Sequence, residues 1–122
     1  SKMQTKSLFA RLGMPTPRSM LVSSPEELAT AVERVGWPCV LKPEDRGGGR
    51  GVTANIRNMT DLQAAYRHAR TFSSTPLLVE TYIPGDDHRI MVLDGRVHAV
   101  SRRQASWVTG DGQRTIAELL AQ

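Results

Sequence analysis

"EDRGGGRGV", residues 44–52, holds four of the chain's ten glycines in nine residues, with arginines on both sides of the glycine run. Upstream, "CVLK" (39–42) predicts a strand that ends at Lys42, and downstream "GVTANI" (51–56) is again typical of extended structure. The pattern therefore predicts a strand, a glycine loop and a return strand. Two interpretations of the loop are open: a flexible surface hairpin, or a cradle whose backbone N–H groups bind an anion.

Two common phosphate-binding loops do not fit this stretch. A Walker A loop ends in Gly-Lys-Ser/Thr before a helix, whereas this loop continues Arg50-Gly51-Val52-Thr53 into a strand. A dinucleotide fingerprint needs a third glycine at position 52 and a helix behind it, and position 52 is valine. What remains is a glycine hairpin between two strands, which protein kinases also use over a polyphosphate with a different sequence.

Lys42 favours the anion-binding interpretation. It is one of only three lysines, with Lys2 and Lys6, and it ends an apolar run that predicts burial on both faces. A lysine in that position must extend its ammonium group to water or meet an anion. A lysine beside a glycine hairpin is the arrangement that a nucleoside triphosphate requires.

The composition limits the other function classes. The chain has 122 residues, a net charge of +4 and one cysteine, Cys39, and we expect a reducing, cytoplasmic compartment. No apolar run approaches the roughly 20 residues of a membrane-spanning helix, so we expect no membrane association. The arginines are scattered and aromatic residues are few, which makes nucleic-acid binding the weakest of three hypotheses. An uncovered sheet edge would allow a homo-oligomer.

The flanking segments predict an α+β fold, a mostly antiparallel sheet with helices against one face. The first helix, within residues 1–12, has an apolar stripe of Leu8, Phe9 and Leu12, with Lys6 facing solvent. In "TDLQAAYRHARTF" (60–72), Thr60 is predicted to cap a later helix. Asp94-Gly95 predicts a tight hairpin turn.

Four segments, in order, resemble the ATP-grasp ligases. They are an opening helix, a lysine strand with its glycine loop, a hinge segment and a final "GDGQRTIAELL" element. Within the family, "SSTPLLVETYIPGDDHRIMV" (73–92) and "RRQASWVTGDGQRTIAELL" (102–120) most resemble the cyanophycin synthetases, and the bifunctional glutathione synthetases are next. The resemblance implies the lid-type subdomain at residues 1–83 and the beginning of the C-terminal ATP-grasp subdomain at residues 84–122.

The resemblance also implies roles for individual residues. The main-chain groups of the hinge would meet adenine, the acidic residue after it the ribose, and the lysines and the mobile loop the triphosphate. The implied ATP-binding residues are Lys2, Lys42, Gly47, Gly48, Gly49, Arg50, Gly51, Glu80, Thr81, Ile83 and Asp87. Arg89 and Arg103 would act catalytically near the phosphate or acyl-phosphate end, although Arg102 could take the place of Arg103.

The implied activity is ATP-dependent ligation of a carboxylate to an amine through an acyl phosphate. The family's Mg²⁺ ligands include a Glu-x-Asn pair that this chain lacks, so no metal ligand is predicted here and the isolated chain is expected to be an inactive fragment. The amino-acid or peptide substrate would be bound by absent segments. A second hypothesis remains open: a non-catalytic module that senses nucleotides or binds partners and kept only the lid.

Overall fold

A computed structural model describes residues 1–104 and 107–121, in two compact units, Ser1–Ile83 and Pro84–Gln122. Residues 105, 106 and 122 lie outside the described residues. Residues 105 and 106 belong to the stretch 102–120, which resembles the cyanophycin synthetases. The first unit contains the helices α1 Lys2–Arg11, α2 Leu28–Val35 and α3 Met59–Arg70, and the strands β1 Ser19–Val22, β2 Cys39–Pro43, β3 Thr53–Ile56 and β4 Leu77–Thr81.

The four strands form one antiparallel sheet in the order β1-β4-β2-β3. Strand β4 lies inside the sheet and is buried along most of its length, which explains its apolar sequence "LLVET". Helices α2 and α3 pack on one face. The core between them includes Leu28, Leu41, Leu62, Leu77 and Val79, and each such side chain contributes roughly 1.5–3 kcal/mol when fully buried.

The pleat of β2 and β4 gives the sheet a second face of different character. Leu41 points into the helix-covered core, and Lys42, the next residue, points the other way. Lys42 pairs directly with Leu78 across the strands, and Val40 pairs with Glu80. These residues therefore share the second face, where one basic and one acidic side chain lie among apolar neighbours.

Helix α1 does not bury the apolar stripe that the sequence predicts. Leu8 and Leu12 are 51% and 64% exposed, so they do not form a buried face. Instead Lys2, Met3 and Lys6 are the partly buried residues of its first two turns. The expectation that Lys6 faces solvent is wrong. The buried side of α1 faces the Glu80 carboxylate and carbonyl oxygens of the glycine loop, and these acceptors require hydrogen-bond donors such as lysines.

The predicted start of α3 is also corrected. The capping residue is Asn58, whose side-chain oxygen accepts a hydrogen bond from the Asp61 N–H at 2.9 Å. Thr60 already lies inside the helix. Asparagine is among the strongest N-capping residues, and here its amide also donates to the Asp61 carboxylate at 2.8 Å.

The second unit contains a hairpin of β5 Asp87–Leu93 and β6 Arg96–Arg103, followed by α4 Ile116–Leu120. The turn at Asp94-Gly95 is confirmed, and both residues have positive φ, as a tight hairpin turn requires. The "GDGQRT" element is a turn closed by Asp111. Hydrogen bonds from the N–H and guanidinium of Arg114, and from the N–H of Gln113, lower the pKa of Asp111 to about 2.

The α+β class with antiparallel sheets is therefore confirmed. None of the helices within residues 1–104 and 107–121 has the length and apolar content of a bilayer-spanning segment. The assignment of the two units to the lid and to the beginning of a C-terminal subdomain stays a prediction.

Cys39 provides a test of how tightly this core is closed. Its thiol is fully buried, and burial raises its pKa to about 11 from 9.0. We expect iodoacetamide at neutral pH to alkylate the folded chain about a hundredfold more slowly than the urea-unfolded chain, because thiolate is the nucleophile. Mass spectrometry over time measures both rates, and equal rates would show that β2 is not held in a closed core.

Candidate functional site

The second face of the sheet carries a hollow of about 300 Å³. Its floor is formed by Lys42, Leu78 and Glu80 of β2 and β4, and its wall by side chains of α1 together with Pro17. The α1 residues that complete the lining are Lys2, Thr5 and Lys6. All three lysines of the chain thus border one hollow, with a single carboxylate among them.

Glu80 is the buried acid of this hollow, with 8% of its surface exposed. One carboxylate oxygen accepts a hydrogen bond from the Lys42 ammonium group, and the other lies 3.2 Å from the Lys6 ammonium group. Lys6 also donates to the Thr16 hydroxyl at 3.0 Å. The cluster of Lys6, Lys42 and Glu80 therefore has a formal charge of +1, largely shielded from water.

Lys2 connects the hollow to the first residues of the glycine loop. Its ammonium group donates to the carbonyl oxygens of Pro43 at 2.8 Å, Glu44 at 2.9 Å and Arg46 at 2.7 Å. An ammonium group has three donors, so these carbonyls occupy all of them. Lys2 thus fixes the backbone path by which the chain leaves β2 and enters the loop.

Glu44 ties the same loop entry back to the beginning of α1. Its carboxylate accepts hydrogen bonds from the Ser1 hydroxyl and from the Met3 N–H, the latter at 3.0 Å. Burial alone would raise the pKa of Glu44, but these hydrogen bonds and the nearby Lys2 charge hold it below its ordinary value. The loop entry is thus held to α1 by Lys2 and Glu44 together.

The glycine loop, whose entry is held by Lys2 and Glu44, is also anchored at its other end and has an open tip. Gly51 is buried with φ +68°, and a Cβ there would lie 3.0 Å from Pro43 Cγ and 3.2 Å from Phe72 Cδ2. A Cβ at Gly47, Gly48 or Gly49 would meet nothing within 4 Å. None of these four glycines belongs to the lining of the lysine hollow, and neither does Arg50. Closure of the loop over a ligand stays a prediction.

A series of alanine substitutions tests this division of the loop. Gly51→Ala should destabilise the fold by about 1–3 kcal/mol, because it adds both a positive-φ penalty and a clash. Gly48→Ala carries only the φ penalty, of about 1 kcal/mol. Gly47→Ala is the matched control with neither cost. Urea unfolding measures all three, and equal midpoints for the Gly51 and Gly47 variants would contradict the anchored-end description.

The predicted hinge lies next to the hollow at the end of β4. The Thr81 N–H donates to the Arg18 carbonyl at 2.9 Å, and its hydroxyl donates to the Val35 carbonyl at 2.8 Å, so its donors are engaged. The N–H of Ile83 has no partner among the described residues. The Ile83 side chain borders a mostly apolar hollow of about 470 Å³ with Pro15, Thr16 and Pro17. Pro17 is common to this hollow and to the lysine hollow.

The hairpin of the second unit places three predicted residues on one face. Asp87 pairs directly with Arg103, and their side chains form an ion pair at 3.4 Å. Arg89, two residues after Asp87, lies on the same side of the pleat. Arg102 lies on the opposite face, where it pairs with Asp86 at 3.3 Å. Of the two arginines left open by the sequence, Arg103 is therefore the one that shares a face with Asp87 and Arg89.

The described residues do not form a metal site. Within residues 1–104 and 107–121, no three side chains among His, Cys, Asp and Glu come close enough together to hold an ion. The acidic groups near the lysine hollow are already bound by ammonium groups or by N–H donors. No chemical step is therefore assigned to a metal in this chain.

Comparison with known protein families identifies the domain family. The model of the ATP-grasp domain matches residues 7–98, about three quarters of the chain. The chain belongs to the ATP-grasp family. The matched segment contains β1 to β4, the glycine loop and most of the second-unit hairpin.

Individual relatives of this ATP-grasp chain agree with the family assignment. Cyanophycin synthetase from Trichormus variabilis is 43% identical over 99% of the chain, and the match covers 13% of that protein. The glutathione biosynthesis bifunctional protein GshAB from Streptococcus thermophilus is 37% identical over the whole chain, and the match covers 16% of that protein. The chain thus spans about one eighth to one sixth of the length of these relatives.

A solved structure with a related sequence shows the same ATP-grasp architecture. The ATP-grasp ligase PsnB, complexed with its precursor peptide PsnA2 and AMPPNP, has a TM-score of 0.61 and 27% identity. The alignment covers 84% of this chain and 32% of PsnB. Both the predicted fold class and the predicted family are thus confirmed.

The ATP-grasp chain groups predicted residues within each of its two units. In the first unit Lys2, Lys42 and Glu80 border one hollow, and Ile83 borders the adjoining one. In the second unit Asp87, Arg89 and Arg103 share one face of the hairpin. Lys6, which was predicted to face solvent, also borders the lysine hollow. Its spacing of four residues from Lys2, which puts both on one helix face, was the available signal.

Proposed function

We propose that the first unit binds ATP, with the triphosphate in the lysine hollow and the base in the apolar hollow. The observation that carries this proposal is the junction of a cationic and an apolar hollow at Pro17. A nucleotide has the same two-part chemistry, a flat, largely apolar base and an anionic tail. The charge distribution of the chain is also suitable. The first unit has eleven Lys and Arg against seven Asp and Glu, whereas the second has five of each.

The hinge residues would have different roles at the base. The Ile83 N–H, which has no partner within residues 1–104 and 107–121, is the donor that we propose for the adenine edge, and the Ile83 side chain would cover the ring. Thr81 would contribute at most a carbonyl acceptor, since its N–H is engaged. The buried Glu80 would act through its main chain at the base and through its side chain on the lysines.

The remaining predicted residues keep the roles that the family implies. Asp87 would accept hydrogen bonds from the ribose hydroxyls, and Arg89 and Arg103 would neutralise charge on the phosphate or acyl-phosphate groups. Their location on one face of the hairpin supports a common task. The amides of Gly47, Gly48, Gly49, Arg50 and Gly51 would close over the triphosphate.

For the longer protein we propose an ATP-dependent carboxylate–amine ligase of the cyanophycin synthetase type. The reaction would activate a carboxylate as its acyl phosphate and let an amine displace the phosphate, with positioning and charge neutralisation supplying most of the catalysis. Mg²⁺ would accompany the triphosphate, with its protein ligands outside these residues. Binding of the amino-acid or peptide substrate, a cytoplasmic location and self-association belong to the same proposal.

A comparison of the affinities of three ligands tests whether the two hollows bind a nucleotide. We expect ATP to bind the chain more tightly than inorganic tripolyphosphate or adenosine, because only ATP fills both hollows. Isothermal titration calorimetry with each ligand at constant ionic strength measures the three affinities. If tripolyphosphate bound as tightly as ATP, the base would contribute nothing to binding, and the proposal that it lies in the apolar hollow would be wrong. Tight binding of single-stranded RNA with a steep salt dependence, and no competition by ATP, would favour the nucleic-acid hypothesis instead.

A further inference from the structure

Lys6 has no role in the function proposed above, yet it is the second cation on Glu80, the single acid that lines the hollow. Its side chain is 13% exposed and lies 3.2 Å from Glu80 Oε2, while Lys42 holds Oε1. We propose that Lys6 is a positioning residue that keeps the Lys42 ammonium available to an anionic ligand by holding the second oxygen of Glu80. This inference rests on the proposed function of the lysine hollow.

Charge balance within the cluster is the first reason. With Glu80 bound only to Lys42, the pair would be formally neutral, and the carboxylate would compete with any phosphate for the Lys42 donors. With Lys6 on the other oxygen, the cluster keeps a net charge of +1 beside the hollow. Near a protein surface, where the effective dielectric constant is about 20, one unit charge at contact changes the attraction of a phosphate measurably.

No other described cation can take over this task. Lys2, the third lysine that lines the hollow, has all three of its donors on the carbonyls of Pro43, Glu44 and Arg46. Within residues 1–104 and 107–121, Glu80 forms ion pairs only with Lys6 and Lys42. The hydrogen bond from Lys6 to the Thr16 hydroxyl, at 3.0 Å, fixes its ammonium group on this side of the hollow.

Two simpler roles for Lys6 predict different effects of substitutions on ligand binding. Lys6 could merely tie α1 to the sheet, or it could contact the ligand directly. Lys6→Met keeps an unbranched apolar side chain only one heavy atom shorter than lysine, and it reduces the cluster charge from +1 to zero. The double variant Lys6→Met/Glu80→Gln restores +1 without restoring Lys6. Only a role exerted through Glu80 predicts that the second substitution rescues the first.

The experiment uses inorganic tripolyphosphate as the probe, so that the base plays no part. Amide chemical shifts of residues 40–52 are followed during titration at constant ionic strength. We expect Lys6→Met to bind about tenfold more weakly than the natural chain, which is the scale of a partly screened unit charge. The double variant should return to within about threefold of the natural affinity, and Lys6→Arg should retain it because the guanidinium can still pair with Glu80.

Each outcome decides the question. Unchanged affinity in Lys6→Met, or a double variant as weak as the single one, overturns the positioning role. If Lys6→Met does not give a folded amide spectrum, Glu80→Gln alone is the test, and it should bind several-fold more tightly than the natural chain. Weaker binding would refute the inference. Tripolyphosphate binding that is insensitive to Lys42→Ala would show that the proposed site itself is wrong, whereas sensitivity to Lys42 but not to Lys6 would remove only this inference.

Discussion

Replacing Lys42 by alanine should weaken ATP binding by roughly 30- to 150-fold, equivalent to about 2–3 kcal/mol. The Lys42 ammonium lies on the floor of the hollow with its side chain 24% exposed, so its charge is only partly screened by water. The substitution also leaves Glu80 paired with Lys6 alone, which removes the net positive charge of the cluster. Isothermal titration calorimetry with ATP measures the effect.

Arg11→Ala is the matched control for Lys42→Ala. It removes the same unit charge from the same half of the chain, but Arg11 is exposed in the last turn of α1 and does not line the hollow. Its affinity for ATP should stay within about twofold of the natural value, since exposed charges are screened. If Arg11→Ala and Lys42→Ala weakened binding equally, the attraction would be a general effect of net charge, and no role would remain for the hollow.

The largest loss of stability is expected for Leu41→Ala. Leu41 is fully buried between Cys39 and Pro43 on the core face of β2, and the substitution removes three carbons from a packed site. We expect the free energy of unfolding to fall by about 2–5 kcal/mol, the sum of lost burial and the cavity left behind. Urea denaturation followed by circular dichroism measures it.

Leu21→Ala provides the comparison on the same sheet. Leu21 lies in β1 with 36% of its surface exposed, so water already reaches it. Its substitution should cost less than about 1.5 kcal/mol. Similar losses at both positions would mean that β2 is not the buried strand that presents Lys42 to the hollow. The binding site would then lack its rigid support.

The strands and the glycine hairpin were predictable from the sequence because their signals are local. The extended run that ends at Lys42 and the Asp94-Gly95 turn each depend on neighbouring residues, and both are found in the structure. The run predicted burial on both faces, whereas in β2 buried residues alternate with half-buried ones, because only one face is covered by helices. The first residue of α3 was harder to predict, because asparagine and threonine are both common N-capping residues and the sequence offers Asn58 and Thr60 close together. The choice between them depends on the hydrogen bond to Asp61.

The lysine cluster could be predicted only in part, because it depends on contacts between distant segments. Lys42 stood out as a charge ending an apolar run. Lys6 did not, because its importance comes from a carboxylate 74 residues away that no local pattern connects to it. The same holds for Lys2, whose three acceptors are loop carbonyls. The choice between Arg102 and Arg103 required the strand register, which places Arg103 opposite Asp87.

If the triphosphate enters the hollow of Lys2, Lys42 and Glu80, the amide shifts that ATP causes in the natural chain should locate it there. We expect the largest shifts in residues 42–52 and 78–83, and inorganic tripolyphosphate should reproduce the first group but not the second. Shifts centred instead on the groove between β3 and α3, around Asn55 and His68, would refute this location.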